Sequence, residues 1–297
     1  MEKLAAPARA TVLQTVAALA RSTVLEALRS RLAWVFGCVA LGAYGAAGFI
    51  GALALTETRQ LQAALLASAL RLVLAFLVAA FAAQSVVREA DDRVRDLLLA
   101  LPMPRHRYLA GKLAGLCAVA LAGAVIFTLP LLPLAPTAQC LLWCTTLACE
   151  AGIVAGFALF CASGIGHATA ALAATLAFYV LSRVMASIVL LAGHGAAAAA
   201  SGSASALATG GAAGGATAGS ASALAGGAVS ATGTLTDGVA RGLAHLLPGL
   251  DTFARTEWLV YGTGTAADLL LCLGQAAIYL LLLLAAASFD LSRKEIE

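Results

Sequence analysis

Charge is scarce in this 297-residue chain. Asp, Glu, Lys and Arg make up 11% of it and hydrophobic residues 62%, whereas soluble domains carry about a quarter charged residues. So little polar surface could not cover a water-facing molecule of this size, which excludes a soluble enzyme, a nucleic-acid binder and a secreted disulfide scaffold. Histidine and methionine are also few. His106, His167, His194 and His245 form no metal-ligand spacing, and three methionines cannot line a copper path. No nucleotide-binding loop is present: the single Gly-Lys pair, Gly111-Lys112, is followed by Leu113 and lacks the upstream glycine, so the chain is not itself a P-loop ATPase. No His, Asp or Ser constellation of an embedded enzyme gathers near one surface, and no cofactor is expected. The seven cysteines (38, 117, 140, 144, 149, 161 and 272) all fall in apolar stretches, where cysteine serves as a small hydrophobe. Cys140 and Cys144, four apart with Cys149 near, could hold a soft metal or pack as plain hydrophobes.

Long apolar runs are what the chain has instead. A membrane span takes roughly 20 consecutive apolar residues, and six stretches supply them, at about 32–55, 62–87, 109–134, 138–163, 168–193 and 266–289. The expected fold is an all-α membrane protein with six transmembrane helices. The first stretch starts too late, behind too many arginines, for a short cleavable signal peptide, and reads as a permanent anchor. Basic residues mark the cytoplasmic side of such a protein. Lys3, Arg9, Arg21, Arg29 and Arg31 precede the first span. Arg88, Arg93, Arg95, Arg105, Arg107 and Lys112 fall around the loop between the second and third, and Arg293 and Lys294 close the tail. These are thirteen of 18 basic residues, against Arg59, Arg241 and Arg255 on the opposite side, so both termini are expected in the cytoplasm. The net charge of +3 is segregated by topology and does not mark a nucleic-acid surface.

Four regions follow along the chain. Residues 1–31 contain an amphipathic pattern in which Leu13, Val16, Ala20, Val24, Ala27 and Leu28 recur at helical spacing between Arg21, Glu26 and Arg29, as in a helix lying at the membrane surface that can also touch a cytoplasmic partner. Residues 32–194 carry spans one to five. Within them, the segment 88–108 holds the densest charge cluster: Arg88, Glu89, Asp91, Asp92, Arg93, Arg95 and Asp96, then a leucine ridge at 97–99, then Pro102 and Pro104. A plain connector needs only a few residues. A mixed-charge helix of about three turns, ended by prolines, reads as a docking surface for another protein. Residues 195–236 are nearly all Ala, Gly, Ser and Thr, a low-complexity extracytoplasmic insertion and the segment most easily dispensed with. Residues 237–297 combine an outer-surface segment, with Phe253, Trp258 and Tyr261 suited to the headgroup zone, the sixth span and a cytoplasmic tail.

Three ionisable residues fall inside spans: Arg71, Glu150 and Arg183. A charge in the bilayer is costly unless paired, so each is a functional candidate. At 1.5 Å per residue, Arg71 lies roughly 15 Å below the outer surface, Glu150 roughly 18 Å and Arg183 roughly 10–15 Å. The depths allow Glu150 to neutralise one or both arginines, as a stabilising salt bridge or as part of a substrate contact.

The order of these features resembles the ABC-2 type permeases. It is carried by Leu25-Glu26-Ala27-Leu28-Arg29-Ser30-Arg31 before the first span, and by Arg88-Glu89 with Asp91-Asp92-Arg93. Leu97 to Leu101, then Pro102-Met103-Pro104-Arg105 and Tyr108-Leu109-Ala110-Gly111-Lys112, continue the pattern. Leu247-Pro248-Gly249-Leu250-Asp251, Phe253, Glu257-Trp258-Leu259-Val260-Tyr261-Gly262 and the tail Ser292-Arg293-Lys294-Glu295 are similar to the branch associated with multicopper-enzyme maturation. Only 195–236 departs, an insertion the family does not generally carry. The resemblance implies the permease subunit of an exporter, one that forms a homodimer in the bacterial inner membrane and engages a separate ATP-binding cassette subunit. Arg88, Glu89, Asp91, Asp92, Arg93 and Arg95 would then contact that ATPase. A competing class is an ion- or proton-coupled secondary transporter that titrates Glu150. It calls for internal repeats, and residues 1–134 and 135–297 show no convincing one.

Overall fold

Lipid offers no hydrogen bonds to a peptide backbone, so a chain this apolar must satisfy its N–H and C=O groups internally, and helices do so within one segment. The computed structural model, which describes residues 5–53, 58–92, 105–184, 253 and 264–293, is all-helical among those residues. Its elements are α1 (Ala5–Arg29), α2 (Leu32–Leu53), α3 (Thr58–Asp91), α4 (Arg105–Thr128), a 3-10 turn (Leu129–Leu131), α5 (Thr137–Ile165), α6 (Ala168–Val184) and α7 (Ala266–Arg293). Among the described residues, five segments are long and apolar enough to cross a membrane: Leu32–Phe49, Gln62–Asp91, Arg107–Leu131, Thr137–Ile165 and Ala267–Asp290. The protein is a multi-pass membrane protein. The stretch expected as a span at 168–193 is described as far as Val184; 185–193, the insertion at 195–236 and most of 237–263 lie outside the described residues.

Several boundaries differ from the apolar stretches. The second span does not stop at 87: Arg88 to Asp91 complete the last turn of α3, and the Asp92 amide donates to the Arg88 carbonyl at 2.9 Å. The charged segment therefore begins as a continuation of the span. Thirty-four residues make a helix about 51 Å long, well beyond the roughly 30 Å hydrocarbon layer. At its other side, Arg105 to Tyr108 open α4 and do not close a loop. The third span ends its regular helix at Thr128, short of the expected 134, because Pro130 and Pro133 lack the amide and clash with the preceding turn. Pro130 is accommodated at the start of the 3-10 turn, and Pro136, with φ −59° and ψ 138°, caps α5. Ser30 separates α1 from α2: its hydroxyl donates to the Ala27 carbonyl at 2.7 Å and accepts from the Leu32 amide at 3.2 Å. Gly166 ends α5 in the left-handed region, φ 75°, where a side chain would be strained.

Small residues set how the helices pack. Apolar burial drives no association between helices already in lipid, so close backbone contact does. Gly111 and Gly115 face α1 so tightly that an added Cβ would come within 2.8 Å of the Leu19 Cβ and 2.7 Å of the Thr23 Cβ, respectively. Gly123 leaves room for Leu74 and for Phe36, whose ring meets Phe127 edge-on at 5.6 Å. Gly156 on α5 receives Leu280 and Leu283 of α7 and Leu113 of α4. Trp143, Leu74, Leu116, Phe127 and Leu147 are buried in the core these contacts create.

Candidate functional site

Three helices converge on Lys112. Tyr108 and Lys112 stand four apart near the start of α4, Ser85 and Glu89 four apart near the end of α3, and Glu26 near the end of α1. The i,i+4 spacing puts each pair on one helix face. The Lys112 ammonium is 3% exposed and donates to Glu89 Oε1 at 2.6 Å, Ser85 Oγ at 2.7 Å and Glu26 Oε2 at 3.5 Å. The Tyr108 hydroxyl donates to Glu89 Oε2 at 2.6 Å, and Ser85 donates to Glu26 Oε2 at 2.8 Å. A buried cation has to be paired, and its carboxylate partners keep 32% and 23% exposure. The cluster thus sits at the edge of the bundle.

The six residues expected on the docking surface separate here. Arg88 and Asp92 are 78% and 61% exposed and form an i,i+4 ion pair at 3.7 Å, a contact worth little in water. Asp91 is exposed. Glu89 turns inward to Lys112 and Tyr108 and belongs to the cluster, not to the outer face. Arg93 and Arg95 lie outside the described residues. Sequence reasoning missed Glu26, Ser85, Tyr108 and Lys112 as partners. The usable signal was Lys112 itself, a charge three residues into an apolar stretch, which requires a counter-ion as Arg71 does.

The second cluster lies within the bundle. Arg71 of α3 and Glu150 of α5 are each 1% exposed, and Arg71 Nε stands 3.3 Å from Glu150 Oε2. The Tyr179 hydroxyl of α6 donates to Glu150 Oε1 at 3.0 Å. The guanidinium carbon of Arg71 lies 5.8 Å from the centre of the Trp143 ring, within cation–π range. Trp143 and Glu150, seven apart on α5, share one face, so one helix supplies both the ring and the carboxylate. The structure therefore brings Arg71 to Glu150. Arg183, on α6, is half-buried. Cys140 is buried with its sulfur 3.8 Å and 3.7 Å from the Leu131 and Ala135 carbonyls, packed at the proline-rich turn. Among the described residues, no three His, Cys, Asp or Glu side chains are placed to hold a metal ion. Compared with known proteins, the chain matches no family model and no curated protein sequence.

Proposed function

We propose that this chain is the permease subunit of an ABC-2 type transporter: six spans with both termini in the cytoplasm of a bacterial inner membrane, paired as a homodimer, and driven in export by a separate ATP-binding cassette subunit. The observation that carries the reading is the joining of α1, α3 and α4 through Lys112 at the charged end of the molecule. A force applied to the charged segment after α3 would move these three helices together. α3 is continuous from that end to Arg71, 17 residues and roughly 26 Å away, so the same displacement reaches the Arg71–Glu150 pair. Coupling of this kind needs a contiguous element with two arrangements. α3 is the rod, the Lys112 cluster its grip on α1 and α4, and the Arg71–Glu150 pair the contact it loads.

Arg88 and Asp92 supply the test, being exposed at the end of the rod. A photo-crosslinking residue placed at either position in living cells is expected to capture a nucleotide-binding subunit. Capture of lipid alone, with no nucleotide-binding protein recovered from either position, would overturn the reading.

A further inference from the structure

A cavity of about 680 Å³ opens between the last turns of α1 and α3, a volume in the range of small-ligand sites. Its depth follows from its position on α3. The apolar segment of that helix begins at Gln62, and a 30 Å hydrocarbon layer takes about 20 residues of helix. Residues 85–92 therefore stand at the level of lipid headgroups. Charges of both signs line the cavity: Arg29 and Arg88 against Glu26, Glu89 and Asp92. With Lys112 behind them, three cations balance three carboxylates, so neither a bare anion nor a bare cation is favoured as a guest.

The hydrogen-bond inventory narrows the choice. Both oxygens of Glu89 are taken, by Lys112 and Tyr108. Glu26 uses Oε2 for Ser85 and Lys112, and no bond to its Oε1 occurs among the described residues. Arg29 is exposed and forms no ion pair among the described residues. Glu26 and Arg29 stand three apart on α1, neighbours on one face. An open carboxylate oxygen and an open guanidinium are thus set one turn apart at the rim of a cavity, with Arg88 across from them on α3 and Leu25 and Phe81 as its apolar wall.

We propose that this cavity holds the headgroup of a zwitterionic phospholipid with a primary ammonium, of the phosphatidylethanolamine class. The phosphate lies on Arg29 and Arg88, the ammonium donates to Glu26 Oε1, and the first chain carbons rest on Leu25 and Phe81. A trimethylated ammonium has no hydrogen to donate, and Phe81, the one ring among the described lining residues, is no aromatic cage for it. The lipid would bridge α1 to α3 beside the Lys112 cluster. The proposal rests on α3 crossing the bilayer and is independent of the transport reading.

Native mass spectrometry of the purified full chain in detergent tests it, with dioleoyl phosphatidylethanolamine, phosphatidylcholine and phosphatidylglycerol at matched concentration. The ethanolamine lipid is expected to bind about ten-fold more tightly than either, the worth of one charge-assisted hydrogen bond. Arg29→Gln with Arg88→Gln, both exposed positions, removes the partners of the phosphate and is expected to weaken binding of the ethanolamine lipid about ten-fold or more. Glycerophosphoethanolamine, the headgroup without chains, is expected to compete weakly; full competition at equal concentration would assign the site to a soluble ligand and overturn the lipid. Equal binding of the ethanolamine and choline lipids, tighter binding of the glycerol lipid, or an unchanged affinity in the variant also overturns the proposal. The comparison of lipids on the unaltered chain stands whatever the variant does.

Discussion

An ammonium held between helices is stable only while its hydrogens are bound, and the acceptors of Lys112 sit on two other helices. Replacing it with methionine leaves Glu26 and Glu89 facing each other with no cation between them. Because those carboxylates are partly hydrated, the expected loss is about 1–3 kcal/mol, read as a lower unfolding midpoint in detergent. Adding Glu89→Gln to Lys112→Met is expected to restore part of it; no recovery would mean that Glu89 does not answer Lys112. The Arg71–Glu150 pair is a different case, because both groups are 1% exposed. Arg71→Leu or Glu150→Leu alone leaves a buried charge without its partner and should destabilise by about 3–5 kcal/mol, while the double substitution should lie near the parent. Double-mutant analysis of unfolding in detergent measures this, and additive losses would contradict the pairing. That a charge at these depths needs a partner was legible from sequence. Which arginine serves Glu150 was not, because depth along a helix gives no rotation about it. Glu89 shows the same limit: alternating charges look alike on an outward and an inward face.

At the scale of helices, the contact of α1 with α4 depends on Gly111 and Gly115. Gly115→Val would drive a branched side chain into Thr23, already 2.7 Å from the position of an added Cβ, and overpacking of this kind costs about 1–3 kcal/mol. A matching Gly274→Val, at a position with nothing within 4 Å, should be near neutral; equal losses at both would show that α1 does not seat on Gly115. The spacing of four between these glycines was readable, yet it falls where a basic residue opens a span, and the topological role of Lys112 drew the reading away from packing. Helix positions were legible from apolar runs because lipid leaves no alternative to helix. Helix ends were less so. Prolines 130, 133 and 136 sit among leucines, and hydropathy averages across them while the backbone cannot. α3 errs the other way: charge marks where the apolar layer stops, not where a helix that continues into water must end.

At the scale of the whole molecule, the proposed transporter takes force in at the charged end of α3, and the 34-residue helix carries it to mid-membrane. The low-complexity segment at 195–236 lies outside the described residues. Its deletion is expected to leave membrane insertion and partner recovery unchanged, as membrane fractionation and affinity purification would show. The central proposal is that a separate nucleotide-binding subunit drives this chain, and its most direct measurement is affinity purification of the tagged chain from native membranes, followed by assay of ATP hydrolysis. The account predicts a stoichiometric nucleotide-binding partner with ATPase activity, diminished when Arg88→Glu and Asp92→Lys disturb the exposed end of α3. Recovery of the folded chain without any nucleotide-binding subunit or hydrolysis would contradict it.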